Sequence, residues 1–150
     1  MVWTGVSLHT KTNLIVVRRN LNAARYQQDI FVPVAIPHLR AGERVMQLLQ
    51  DGASAHTART ATQQNVRQLP FPPMSLDLNV PEHLWDELNR RVRSQPAAPR
   101  NLCELKQDLV HAWRNTLQWV IRNYVLSMRQ RCVHVVRTRR INSSDVQTVL

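Results

Sequence analysis

Asp51 and Glu82 are the residues whose type and setting could do chemistry. The apolar run from Val45 to Leu49 stops at Asp51 and gives way to Gly52, Ala53 and Ser54, the pattern by which a buried strand delivers a carboxylate to the rim of a sheet. Glu82 follows Pro81 and opens a segment with helical spacing. One acid closing a strand and one opening a helix can converge on a divalent cation, and hard carboxylate oxygens suit Mg²⁺ or Mn²⁺. His56 lies five residues past Asp51 and could reach a metal-bound water or a phosphate, although a cap or loop histidine is the simpler reading. Asp86 and Glu87 read as a solvated helix face.

Several elements must hold these acids in place. Val2 to Leu8 and Asn13 to Val17 read as two short strands joined by a polar connection of hairpin length. Leu14-Ile15-Val16-Val17 is apolar on both faces, so it belongs inside a covered sheet. Asn22 is placed to cap a helix through Ala23, Ala24, Tyr26, Ile30 and Val34, which Pro33 and Pro37 must kink or end. Val45 to Leu49 and Val66 to Phe71 read as further strands, with a short threonine-bearing helix from Ala58 to Gln64 between them. Pro70, Pro72, Pro73 and Pro81 make the approach to Glu82 a stiff extended loop.

A helix is expected over Glu82 to Ser94, with Leu84, Trp85 and Leu88 on its apolar side and Arg90, Arg91 and Arg93 near its end. After the linker Ser94 to Pro99, Asn101 and Glu104 form a capping-box-like start to another helix whose stripe is Leu102, Leu105, Leu109, Ala112 and Trp113. A last long helix is expected from about Leu117 to Val136. Trp113 and Trp119 read as packing residues rather than base-stacking ones.

Composition sets the partner class. The 150 residues carry a net charge of +10 and 43% hydrophobic residues, with a pI near 11.3. That content supports a packed core, and the charge points to a polyanion, most simply nucleic acid. From Leu88 onward twelve Lys or Arg residues face only Glu104, Asp108 and Asp145, so this half holds +9 of the total. Arg122, Arg129, Arg131 and Arg137 lie off the strongest apolar positions, where they could follow a phosphate backbone. Cys103 and Cys132 lack CxxC or CxxH company, which argues against a disulfide framework and a zinc site. No apolar run approaches the ~20 residues needed to span a bilayer, and Met1-Val2-Trp3-Thr4-Gly5 lacks the basic opening and apolar stretch of a signal peptide.

The motifs then carry a family resemblance. Gln50-Asp51 with His56-Thr57-Ala58, then Ser75-Leu76-Asp77-Leu78-Asn79, then Glu82-His83-Leu84-Trp85-Asp86-Glu87-Leu88, follow one another in order. Val2-Trp3-Thr4-Gly5-Val6-Ser7 and Asn20-Leu21-Asn22-Ala23-Ala24-Arg25-Tyr26 lie upstream, and Met128-Arg129-Gln130-Arg131-Cys132 downstream. Together they resemble the catalytic domain of mariner-superfamily DDE transposases over nearly the whole chain. The resemblance implies a ribonuclease-H-like fold in which three carboxylates hold two metal ions that cut and rejoin DNA. It also implies a nuclear protein, with Asp51 and Glu82 as catalytic and metal-binding residues.

This sequence departs from the family's pattern in three places. The family's first acid precedes the Val-Trp-x-Gly segment, with which this chain opens, and no acid occurs before Asp29. Asp51 and Glu82 enclose 30 residues, about one helical turn fewer than is usual in the family. Asp86 matches the usual count, but Glu82 matches the residues on both sides and is preferred. Leu76 and Val80-Pro81 also replace the family's usual proline placements.

The expectation is therefore an α/β fold, a ribonuclease-H-like sheet truncated at its N-terminus and flanked by helices, over residues 1–94. Residues 95–150 are expected to form a basic C-terminal helical extension. The chain is expected to be inactive alone, with weak Mg²⁺ or Mn²⁺ binding. Arg90, Arg91, Arg93, Arg122, Arg129, Arg131 and Arg137 are the expected DNA contacts. The competing reading is a non-catalytic protein that binds DNA without sequence preference, or that pairs with a full-length transposase or with itself.

Overall fold

The computed structural model describes residues 1–41, 47–50, 66–69 and 78–139. The opening hairpin pairs β1 (Val2–Trp3) with β2 (Ile15–Val16) in antiparallel register, Val2 opposite Val16 and Trp3 opposite Ile15. Both strands are shorter than the sequence suggests. Beyond Trp3 the pairing thins to a single bridge between Val6 and Lys11, next to which the Gly5 carbonyl accepts from the Thr12 amide at 2.9 Å. The Gly5 amide donates to Thr12 Oγ1 at 2.8 Å, and the Thr4 and Thr12 hydroxyls share a hydrogen bond of 3.1 Å.

Both faces of the hairpin are covered, as its apolar run requires. Val2, Val6 and Leu14 pack into one core cluster, while Trp3, Ile15 and Val17 pack into another. Alternation along a strand produces this division, since successive side chains point to opposite faces.

The second cluster belongs to a helical stretch made of α1 (Ala23–Arg25), a π-helical segment (Tyr26–Ala35) and α2 (Ile36–Arg40). Asn22 caps it as expected, its Oδ1 accepting from the Arg25 amide at 2.9 Å. Pro33 and Pro37 do not end it. Pro33 falls in the π-helical part, where Ile36 donates five residues back to the Phe31 carbonyl; this wider turn relieves the four-back contact that makes proline disruptive in an α-helix. Pro37 stands in the first turn of α2, and the helical stretch runs on past it, with the Ala41 amide donating to the Pro37 carbonyl at 2.9 Å. The buried residues follow the same pitch. Tyr26, Phe31 and Ile36 recur at intervals of five, with Ile30 and Ala35 beside them.

Leu48 meets Gln68 in an isolated parallel bridge, donating to the Arg67 carbonyl and accepting from the Leu69 amide, both at 2.9 Å. Leu48 and Val66 pack against the π-helical segment. The expected strands over 45–49 and 66–71 are seen here only in that bridge; their remaining residues, and the expected helix over 58–64, lie largely or wholly outside the described residues.

The first cluster is built on α3 (Val80–Arg93), which buries Val80, Leu84, Leu88 and Val92 at intervals of four. The helix begins at Val80, two residues before the expected start, with Pro81 in its first turn. Against it pack α4 (Leu102–Arg114) and α5 (Gln118–Leu126), which add Ala112, Trp113 and Ile121. Asn101 Oδ1 accepts from the amides of Cys103 and Glu104 at 2.9 and 3.0 Å, the cap its sequence predicts. Leu102, the first residue of the helix, departs from its expected stripe and is 72% exposed.

Trp113 locks the hairpin to this helical layer. Its indole Nε1 donates to the Thr12 carbonyl at 2.8 Å, and its ring is 2% exposed. Lys11 Nζ sits 5.0 Å from the ring centroid and donates to the Trp113 carbonyl at 2.6 Å and to that of Thr116. A cation on the last carbonyls of α4 complements the helix dipole. Desolvation lowers the Lys11 pKa, and the nearby Arg91 adds to the effect.

The last helix is not continuous. It breaks at Ser127 into α5 and α6 (Met128–Arg139). Ser127 Oγ donates to the Tyr124 carbonyl at 2.8 Å and Arg131 Nη2 to the same oxygen at 2.9 Å, so side chains fill the acceptor that a continuous helix would use. Cys103 is exposed and Cys132 buried, and burial pushes the Cys132 thiol pKa up.

Candidate functional site

Glu82 stands in the first turn of α3, half-buried. Its Oε1 accepts from Asn79 Nδ2 at 3.3 Å, and its amide donates to the Asn79 carbonyl at 3.3 Å. A carboxylate here is favoured by the helix N-terminus whether or not it binds metal. The next residue ties this turn to the helical layer. The His83 ring stacks on Tyr124 of α5 with centroids 5.7 Å apart and an interplanar angle of 5°.

Asp51, His56 and Asp77 lie outside the described residues. The residue before Asp51 is anchored: Gln50 Oε1 accepts from the Tyr26 hydroxyl at 2.9 Å. Among the described residues no three His, Cys, Asp or Glu side chains come together as a metal site. Of the two candidate metal-binding acids, Glu82 alone lies among the described residues. Carboxylate chemistry fits Mg²⁺ or Mn²⁺, but one carboxylate does not make a site.

The candidate DNA-binding arginines fall into two groups. Arg90 and Arg91 both bind the Glu87 carboxylate, Arg91 through Nε at 2.7 Å. Glu87 is accordingly not a solvated acid; its side chain is 10% exposed. Arg131 turns inward to the Tyr124 carbonyl. Arg93, Arg122, Arg129 and Arg137 are exposed, and no carboxylate pairs with them among the described residues. Arg93 meets only the neutral amide of Asn89, at 3.1 Å.

A groove of about 850 Å³ opens at the bend between α5 and α6, with Arg129 and Arg137 on its walls. The sequence reading assigns Trp119 to the core, but it is 60% exposed one turn from this groove. The signal was available in the spacing: Trp119, Arg122, Asn123 and Leu126 occupy one face of α5, and all four are exposed.

No family model matches the chain. The Tc3 transposase of Caenorhabditis elegans is 25% identical over 143 residues, 93% of this chain and 44% of that protein. The Tcb1 transposase of Caenorhabditis briggsae is 34% identical over 83 residues, 55% of this chain and 30% of that protein. The Tc1 transposase of Caenorhabditis elegans is 35% identical over the same length. The chain is homologous to the Tc1/mariner transposases. The chain spans less than half the length of the relatives it matches.

The fold agrees with the kinship. The crystal structure of the catalytic domain of Mos1 mariner transposase superposes with a TM-score of 0.64, covering 87% of this chain and 76% of that one at 20% identity. The chain therefore shares the fold of that domain, and its described residues form a mainly helical arrangement with a small two-stranded sheet. No helix among the described residues is long and apolar enough to cross a membrane.

Proposed function

We propose that the chain derives from the catalytic domain of a cut-and-paste DNA transposase, with a ribonuclease-H-like core over residues 1–94 and a basic DNA-facing helical part over residues 95–150. The alignment over 93% of its length with a transposase is the observation that carries this reading. Asp51 and Glu82 are two carboxylates of a Mg²⁺ or Mn²⁺ site, DNA is the partner, and the nucleus is the place of action. A divalent ion held there would activate water against a phosphodiester bond.

These 150 residues alone bind the metal weakly and do not cleave DNA. The family's arrangement needs a third carboxylate. The acids ahead of Asp51 are Asp29 and Glu43, and Asp29 is exposed on the π-helical segment rather than on the sheet. Incubating the purified chain with supercoiled plasmid and Mg²⁺ or Mn²⁺ tests the point. The expected result is no nicking above that of Asp51→Ala. Metal-dependent nicking that Asp51→Ala removes would establish a complete active site and refute the assignment of inactivity.

A further inference from the structure

The bend between α5 and α6 makes a surface that the metal site does not use. Its groove is walled by Asn123 and Leu126 of α5 and by Arg129, Gln130, Val133, His134 and Arg137 of α6, with Ser127 at the bend. The α6 positions fall on one face at helical spacing and are all exposed. Trp119 and Arg122 extend the α5 wall by one turn. Three apolar side chains stay in solvent here, with Trp119 60%, Leu126 54% and Val133 37% exposed. No acid occurs between Asp108 and Asp145, so neither helix carries a carboxylate to offset its arginines.

We propose that this groove and Trp119 together hold unpaired, single-stranded DNA, with Arg122, Arg129 and Arg137 tracking the backbone and the Trp119 indole stacking on a base. The inference rests on the reading that DNA is the partner and adds the form of DNA and the surface that takes it. A cationic groove alone would suit a duplex equally well. An exposed indole in line with it favours a splayed strand, because every base offers a π-face but a duplex hides it within the stack.

The bend suits the task mechanically. Arg131 and Ser127 both fix the Tyr124 carbonyl, so the two walls are held at a set angle before any ligand arrives. Preorganisation of this kind lowers the ordering cost of binding.

Fluorescence anisotropy of labelled single-stranded and duplex oligonucleotides of mixed sequence, titrated with the full chain over a range of salt, tests the proposal. The wild-type chain binds the single strand more tightly. Trp119→Ala weakens single-strand binding roughly fivefold or more with little change in the salt slope. The double variant Arg129→Gln/Arg137→Gln makes the single-strand slope shallower by about 1.4. All three altered positions are exposed, and circular dichroism checks that the variants fold. If wild-type binds DNA and these variants bind it equally well, the groove is not the surface, although the DNA-binding reading stands. If wild-type binds no DNA at low salt, that reading falls and this inference with it. Concentration-dependent self-association in sedimentation that Trp119→Ala abolishes, with single-strand binding unchanged, would make the occupant a second copy and overturn the proposal.

Discussion

Trp113→Ala lowers the unfolding free energy by about 3–5 kcal/mol, the range found when a large aromatic side chain is removed from a core. Three losses combine at this position. The indole is 2% exposed within the cluster of Leu84, Leu88 and Ile121, so truncation leaves a cavity. The Thr12 carbonyl loses its donor from Nε1, and the ammonium of Lys11 loses the ring it sits over. The hairpin would then be tied to the helical layer by the packing of Val2, Val6 and Leu14, by Lys11, and by the bond from Gln118 Nε2 to the Ser7 carbonyl at 3.1 Å. Urea unfolding followed by far-ultraviolet circular dichroism measures the loss. Trp119→Ala is the matched control, expected within about 0.5 kcal/mol of wild-type because its side chain is exposed. Equal effects of the two substitutions would mean that the packing assigned to Trp113 is wrong.

DNA binding is expected to collapse with salt. Of the candidate arginines, Arg93, Arg122, Arg129 and Arg137 carry charge that no carboxylate neutralises among the described residues, whereas Arg90 and Arg91 share Glu87. If those four each meet one phosphate of a duplex, the slope of log K against log salt is about −3.6, and raising salt from about 50 to about 200 mM weakens binding roughly 150-fold. Filter binding at four salt concentrations gives the slope. A slope near zero would exclude a phosphate-led interface, and one far steeper would mean that further cations of the chain join in. Asp51→Ala leaves this slope unchanged, because the carboxylate carries none of the phosphate contacts.

How far the sequence reveals this molecule depends on the range of each signal. The Asn22 and Asn101 caps were legible because a cap is a matter of three residues and one oxygen. The covered hairpin was legible because Leu14 to Val17 offers no polar face. The course of the chain through Pro33 was not, since proline normally breaks an α-helix and only the five-residue recurrence of Tyr26, Phe31 and Ile36 hints at a wider turn. The bend at Ser127 also escaped the reading, because the apolar period runs unbroken across it and the cause is a hydroxyl and a guanidinium competing for one carbonyl. Trp119 shows the limit of reasoning from residue type: large aromatics are usually buried, and which face of α5 meets α3 is decided by tertiary packing. Of the candidate metal site, Glu82 was placed by motif and is found in a helix's first turn, two residues inside a start that Pro81 helps to set.

The assignment of Asp51 and Glu82 to one metal site is the claim on which the functional reading turns, and Mn²⁺ electron paramagnetic resonance tests it most directly. Titrating Mn²⁺ into the chain should quench the signal of the free aquo ion weakly, with a single class of site that is lost in Asp51→Ala and equally in Glu82→Ala. Quenching that survives intact in either variant would show that the two carboxylates do not share an ion, and the catalytic ancestry of the site would have to be given up.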